Sequence, residues 1–237
     1  MSRIYALIPA AGTGARMAAP RPKQYLNLAG RPVLHYAIDA LARHSDILRV
    51  FVVLAPGDTD FASHQWDVAG DKLVPLYCGG ATRAATVFNG LVAVRDEVED
   101  SDWIVVHDAV RPCLAARELD TLIATLRDER TGGLLALPVV DTLKRADEAG
   151  CVLRTEPREH LWQAQTPQMF RYRLLLQALH SVDPARATDE AYAIEQLGLK
   201  PRLVAGDARN LKVTYPHDLE LAATILGGLG VVVTHER

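Results

Sequence analysis

The chain has 237 residues, of which 49% are hydrophobic, enough to bury a sizeable core and too many for a disordered chain. Its net charge of −3 argues against a general nucleic-acid binder, which carries a basic excess, so any anion site must be local. No apolar run approaches the ~18 residues of a membrane span, and the N-terminus lacks a signal-peptide pattern. The three cysteines, Cys78, Cys113 and Cys151, are too widely spaced for a CxxC pair and suit reduced thiols in a cytoplasmic protein.

In chain order, the run 3–10 reads as a strand, apolar almost throughout, as expected where both faces of a sheet are covered. It spills into the turn "PAAGTGARM", where Gly12 and Gly14 permit positive φ and close backbone approach, so that amide groups can cradle an anion. The turn is not a dinucleotide fingerprint, because Met17 stands where a small residue is needed and no acidic residue follows at ribose-binding distance. It is not a Walker loop either, since position 17 is again wrong. Instead it is followed by cations, Arg16 and Lys23, the latter in "PKQY" behind Pro20 and Pro22, which hold the chain out of a helix. Two cations beside a backbone anion nest suit a triphosphate.

A helix is expected over 32–45, with Leu34, Ile38, Leu41 and Ala42 on one face and Pro32 near its start. Strands are expected at 49–56, 73–80 and 102–109, then a helix over 116–131 and a strand at 133–140. The segment 141–162 breaks this rhythm: it is charged, has no helical stripe, and reads as a hairpin arm with "DEAG" as its turn. Beyond it, "TDEAYAIEQLG" reads as a helix with Thr188 as N-cap and Gly198 as stop. A strand at 201–207 and a helix over 216–226 complete the pattern. This alternation predicts one α/β domain over 1–237, a mostly parallel sheet sandwiched by helices with a protruding β-hairpin arm.

Ligands of such sheets sit at the carboxyl ends of the strands. "VVHDAVRP" places Asp108 at one of these ends, where a carboxylate can hold Mg²⁺ or substrate hydroxyls, with Arg111 three residues on. His107 reads as a neutral imidazole packed at the strand end.

The ordered set "PAAGTGARM", "PKQY", "GGATRAATVFNGL", "VVHDAVRPC", "PVVDTLKR", "LWQAQTPQMF", "TDEA" and "LKVTYPHDL" resembles the 2-C-methyl-D-erythritol 4-phosphate cytidylyltransferase family over nearly the whole chain. The resemblance implies a Rossmann-like fold that transfers CMP from CTP to methylerythritol phosphate, with Mg²⁺. It assigns Ala10, Ala11, Gly12, Gly14, Gly80, Ala81 and Thr86 to CTP, and Arg16, Lys23 and Lys212 to catalysis. It places Asp108 at both metal and substrate, beside Arg111, Thr142, Arg158, Thr166, Thr188 and Lys212 around methylerythritol phosphate. It also implies a homodimer, without nucleic acid or membrane as partner, in which the arm crosses so that Thr142 and Arg158 serve the second subunit's site. The sequence departs from the family at Ala81, where an acidic residue is usual, and at Thr86, where Ser is common, so selection for CTP should be weaker. Two other readings share these loops: a ribitol 5-phosphate cytidylyltransferase and a catalytically silent nucleotide-binding module.

Overall fold

The computed structural model describes residues 2–12, 21–67 and 70–228. In chain order the strands and helices are β1 (Ile4–Pro9), β2 (Asn27–Leu28), β3 (Arg31–Pro32), α1 (Val33–Ala42), β4 (Ile47–Val53), β5 (Leu73–Leu76), α2 (Arg83–Ala93), β6 (Trp103–Val106), α3 (Ala116–Leu126) and β7 (Gly133–Pro138). There follow β8 (Leu143–Ala146), β9 (Val152–Glu156), β10 (Trp162–Arg171), α4 (Tyr172–Ser181), α5 (Glu190–Gln196), β11 (Arg202–Ala205) and α6 (His217–Gly228).

The central sheet has seven strands in the order β11-β7-β10-β6-β1-β4-β5. All neighbours pair parallel except at β10, which runs antiparallel to both β6 and β7. Side chains along β1 show how the sheet is sandwiched. Ile4, Ala6 and Ile8 point into one core with Leu34, Ile38 and Leu41 of α1 and Leu119, Leu122 and Leu126 of α3. Tyr5 and Leu7 point into the other, with Val87 and Leu91 of α2, Leu175 of α4 and Ile194 of α5. This is the period of two that a pleated strand imposes, and burial on both faces explains why β1, β6 and the Val50–Val53 stretch of β4 are apolar throughout. Each fully buried leucine or isoleucine contributes roughly 1.5–3 kcal/mol.

The predicted strands and helices are all present, most with shorter ends, although the last helix runs on to Gly228 and the second predicted strand begins earlier, at Ile47. The helix expected to run to residue 131 stops at Leu126, where Arg127–Arg130 leave the apolar stripe. Thr188 is not the N-cap of α5; Asp189 is, its carboxylate accepting the Tyr192 N–H at 2.8 Å. Gly198 closes that helix at φ +75°, a left-handed conformation that favours glycine. Gly12, by contrast, is not in the left-handed region, and a Cβ there would meet nothing within 4 Å among the described residues.

Five elements escaped the sequence pattern: the two-residue strands β2 and β3, too short to show a period, and β10, α2 and α4. In β10, Gln165, Thr166 and Gln168 are buried polar residues, and Pro167 interrupts the run, so the segment reads as a loop. The register shift between Ala164 and Gln168 absorbs the proline. The arm is a hairpin, as expected, with Leu143 opposite Glu156 and Arg145 opposite Arg154. It is exposed along nearly its whole length. Its roots are more apolar than its charged strands suggest: Val140 is 72% exposed and Trp162 40%.

Candidate active site

Two contiguous clefts open at the carboxyl ends of β1, β5 and β6, as strand-end geometry requires. The larger, about 580 Å³, is lined by Ala10, Ala11, Gly12, Lys23, Gly80, Ala81 and Thr86, among others. The smaller, about 230 Å³, is lined by Arg111, Gln165, Thr166, Thr188 and Asp189, among others. Arg83, Asp108 and Lys212 line both.

The wall of the larger cleft is built by close backbone packing. A Cβ on Gly79 would lie 2.2 Å from that of Ala11 and 2.8 Å from the Leu54 carbonyl, and one on Gly80 would lie 2.7 Å from that of Ala85. Gly79 lets the 79–81 loop sit tight against the turn after β1, and Gly80 lets it close against the first turn of α2. Thr86 ties this loop to α2: its hydroxyl accepts the Gly80 N–H at 3.1 Å and donates to the Thr82 carbonyl at 2.8 Å. Thr82 caps α2 by accepting the Ala85 N–H, so the positive end of that helix opens onto the cleft. Lys23 is carried by a 3-10 turn, Lys23–Tyr25, anchored from both sides. Gln24 Nε2 donates to the Ala10 carbonyl at 2.8 Å, and the Tyr25 hydroxyl donates to Asp58 at 2.8 Å.

Asp108 is the hub. It is buried, and one oxygen accepts from Arg83 Nε at 2.7 Å while the other meets Lys212 Nζ at 2.8 Å and faces Arg111 Nε at 3.8 Å. Burial alone would raise its pKa; Arg83, Lys212 and Arg111 overcome this and hold the carboxyl well below the usual range. Arg83 also reaches Glu190, which is 0% exposed, through a two-pronged contact at 2.6 and 3.1 Å. Behind Asp108 lies His107. Its Nε2 donates to the Arg111 carbonyl at 3.1 Å, which leaves Nδ1 as acceptor for the Thr166 hydroxyl at 3.0 Å. That hydroxyl accepts the Asp108 N–H in turn, at 3.0 Å. Burial pushes the imidazole pKa down to about 4, so His107 is a neutral structural link, as its sequence context suggested.

Within the smaller cleft, Gln165 Nε2 donates to the Asp207 carbonyl at 2.9 Å. Among the described residues, Gln165 Oε1, packed against Gly206, and Arg111 Nε are buried without a hydrogen bond. Among the described residues no cluster of three His, Cys, Asp or Glu side chains could hold a metal ion by itself.

The chain matches the model of the 2-C-methyl-D-erythritol 4-phosphate cytidylyltransferase family over residues 4–228. It is 57% identical to the protein of that name from Nitrosospira multiformis over 228 residues, covering 95% of this chain and 98% of that relative. The Aromatoleum aromaticum protein of the same name is also 57% identical, with 96% and 97% covered. The chain belongs to this family. A crystal structure of a 4-diphosphocytidyl-2C-methyl-D-erythritol synthase superposes with a TM-score of 0.85 at 39% identity, covering 95% of this chain and 99% of that one. The Thermus thermophilus 2-C-methyl-D-erythritol 4-phosphate cytidylyltransferase does so at 0.75 and 31%, with 94% and 98% covered. The protein is therefore a cytidylyltransferase of isoprenoid synthesis by the non-mevalonate route.

For a cytidylyltransferase, the structure gathers Ala10, Ala11, Gly12, Lys23, Gly80, Ala81, Thr86, Asp108 and Lys212 in one cleft, and Arg111, Thr166 and Thr188 in the next. Gly14 and Arg16 lie outside the described residues, as does the tail 229–237. Thr142 and Arg158 line neither cleft; both are exposed on the arm, where Arg158 bonds the Val140 carbonyl. Sequence reasoning missed Arg83 and Glu190. Arg83 sits inside the quoted "GGATRAATVFNGL", and Glu190 looked like an ordinary first-turn acid; only the fold shows them paired.

Proposed function

We propose that the protein transfers the cytidylyl group of CTP to 2-C-methyl-D-erythritol 4-phosphate, giving 4-diphosphocytidyl-2-C-methyl-D-erythritol and pyrophosphate. The observation that carries this reading is the pair of clefts meeting at Arg83, Asp108 and Lys212. The larger has the size of a nucleotide site. The base lies against the loop of Gly80, Ala81 and Thr86, whose backbone groups do most of the reading because Ala81 offers no polar side chain. The triphosphate follows Ala10, Ala11 and Gly12, with Gly14, Arg16 and Lys23 as its amide and cationic partners. The smaller cleft takes methylerythritol phosphate, with Arg111 and Thr188 in its lining.

The acceptor phosphate attacks the α-phosphorus, a P–O bond forms, and pyrophosphate departs with the electrons of the bond that breaks. A phosphate monoester is already largely ionised near neutral pH, so no general base is required. Neutral His107, locked between Thr166 and the Arg111 carbonyl, is not offered as one. Positioned cations do the work: Lys23 meets charge developing at the α-phosphorus, and Lys212 sits where the two phosphates meet.

The donor set fits Mg²⁺ carried in on CTP, since among the described residues Asp108 is the one acid lining the larger cleft and Mg²⁺ takes one or two carboxylates with phosphate oxygens. When bound, the ion would neutralise phosphate charge, with Asp108 as its protein ligand. The arm supports a homodimer: Thr142 and Arg158 stand away from their own chain's clefts, and Val140, Val152, Leu153, Leu161 and Trp162 expose apolar surface beside them. Three unpaired thiols suit a reducing, cytoplasmic setting.

Pyrophosphate release from CTP, with methylerythritol phosphate and ribitol 5-phosphate compared as acceptors, tests this reading. Release with the first and little with the second is expected. Preference for ribitol phosphate, or CTP binding without turnover, would overturn it.

A further inference from the structure

The Arg83–Glu190 pair calls for an explanation that substrate binding alone does not give. Glu190 is the first residue of α5 and is fully buried, yet among the described residues its side chain bonds Arg83 alone, 107 positions away in sequence. Arg83 begins α2 and spends three nitrogens on two carboxylates, Nε on Asp108 and both terminal nitrogens on Glu190. The guanidinium is therefore clamped from behind by α5 and presents its Nε edge to one Asp108 oxygen. The other Asp108 oxygen carries Lys212 at 2.8 Å. Lys212 comes from a loop, its side chain is 38% exposed, and a lysine stem has four flexible carbons, so its placement depends on what holds its ammonium.

We propose that Arg83 and Glu190 are positioning residues: Glu190 aims Arg83, Arg83 fixes the Asp108 carboxylate, and Asp108 thereby holds Lys212 Nζ at the junction of the two clefts. The inference rests on the cytidylyl transfer proposed above. A planar guanidinium suits this task because its fork meets a carboxylate with two bonds and so sets direction as well as charge. Without Glu190 the fork loses its anchor. Asp108 is then free to turn toward Arg111, now 3.8 Å away, and to release Lys212. Burial pushes the Glu190 carboxyl upward against the pull of Arg83, a cost in keeping with a residue retained for placement rather than for stability.

Glu190→Gln keeps the size of the side chain and removes the charge. Its kcat should fall on the order of 10- to 100-fold, because a small misplacement of a reacting group costs that much, while KM for CTP changes by no more than about threefold. Combined with Lys212→Met, Glu190→Gln should add little to the loss from Lys212→Met alone, since both act through the same ammonium. Arg83→Lys keeps the positive charge but cannot bridge two carboxylates, so it should show the same kcat loss. It also serves if Glu190→Gln fails to fold. A crystal structure of either variant should show the Asp108–Lys212 contact broken, a result that does not depend on turnover. Parental kcat in a folded variant, a fall in Tm alone, losses that multiply with Lys212→Met, or an unchanged Asp108–Lys212 contact would each overturn the proposal. An inactive parent enzyme would instead count against the proposed reaction, and the crystal structures would still decide the positioning role.

Discussion

At the scale of single residues, the site depends on charges and tautomers that its surroundings enforce. His107 is the clearest case. It is 0% exposed, and its pKa is pushed down to about 4 from the ordinary 6.5. The unfolded chain therefore binds a proton through a pH range in which the folded protein does not. This contribution to stability is intact above pH 6.5 and is lost as pH falls toward 4, by up to about 3 kcal/mol in total. Nitrogen-detected NMR of the imidazole should show a neutral ring with the proton on Nε2 down to about pH 4. Titration near 6.5 would mean that the ring is not held between Thr166 and the Arg111 carbonyl. The neutral state of His107 was legible from its place at the end of an apolar strand. Its partner Thr166 was legible only by family resemblance, and the two meet across 59 positions of sequence. Asp108 was also found from the strand end, whereas the convergence of Arg83, Arg111 and Lys212 upon it was not, because those residues come from three separate loops or helix ends.

At the scale of elements, the near-continuous apolar run of β1 and the helical spacing in α1 and α3 identified the core. The elements that escaped are those whose signal is mixed. β10 buries glutamines and holds a proline, and the first turns of α2 look like a continuation of the loop "GGAT". Yet α2 carries Arg83 and Thr86 to the site, so its seating against the sheet matters to function. Gly90 sets that seating: a Cβ there would lie 2.5 Å from a Val53 methyl and 3.0 Å from a Leu7 methyl. Gly90→Ala gains up to about 1 kcal/mol of helix propensity but overpacks a filled core, which typically costs about 1–3 kcal/mol. A net loss on the order of 1 kcal/mol in urea unfolding is expected, together with lower turnover as Arg83 and Thr86 shift. Parental stability and turnover would show that α2 does not rest on the sheet as described.

At the scale of the whole molecule, the arm decides whether one chain is a complete enzyme. Its hairpin was legible from charge and the "DEAG" turn, while its destination is not, since a single chain shows only that Thr142 and Arg158 lie away from their own clefts. In a two-fold dimer each arm would complete the other site. Lys23→Ala and Arg158→Ala should each be nearly inactive. Lys23→Ala loses a cation aimed at developing charge, worth about 2–4 kcal/mol. In a mixed dimer one site carries both lesions and the other neither. With random subunit exchange, about half the dimers are mixed and about a quarter of all sites recover. No recovery despite demonstrated exchange would place Arg158 in its own chain's site.

The central claim is that two clefts joined at Asp108 and Lys212 let the acceptor phosphate attack the α-phosphorus of CTP directly. Methylerythritol phosphate labelled with ¹⁸O on its three non-bridging phosphate oxygens tests it, with products read by mass spectrometry. The account predicts that all three labels remain in the diphosphocytidyl product, one of them in the new bridge, and that pyrophosphate is unlabelled. Label in the pyrophosphate, or a product that has lost one ¹⁸O, would contradict it.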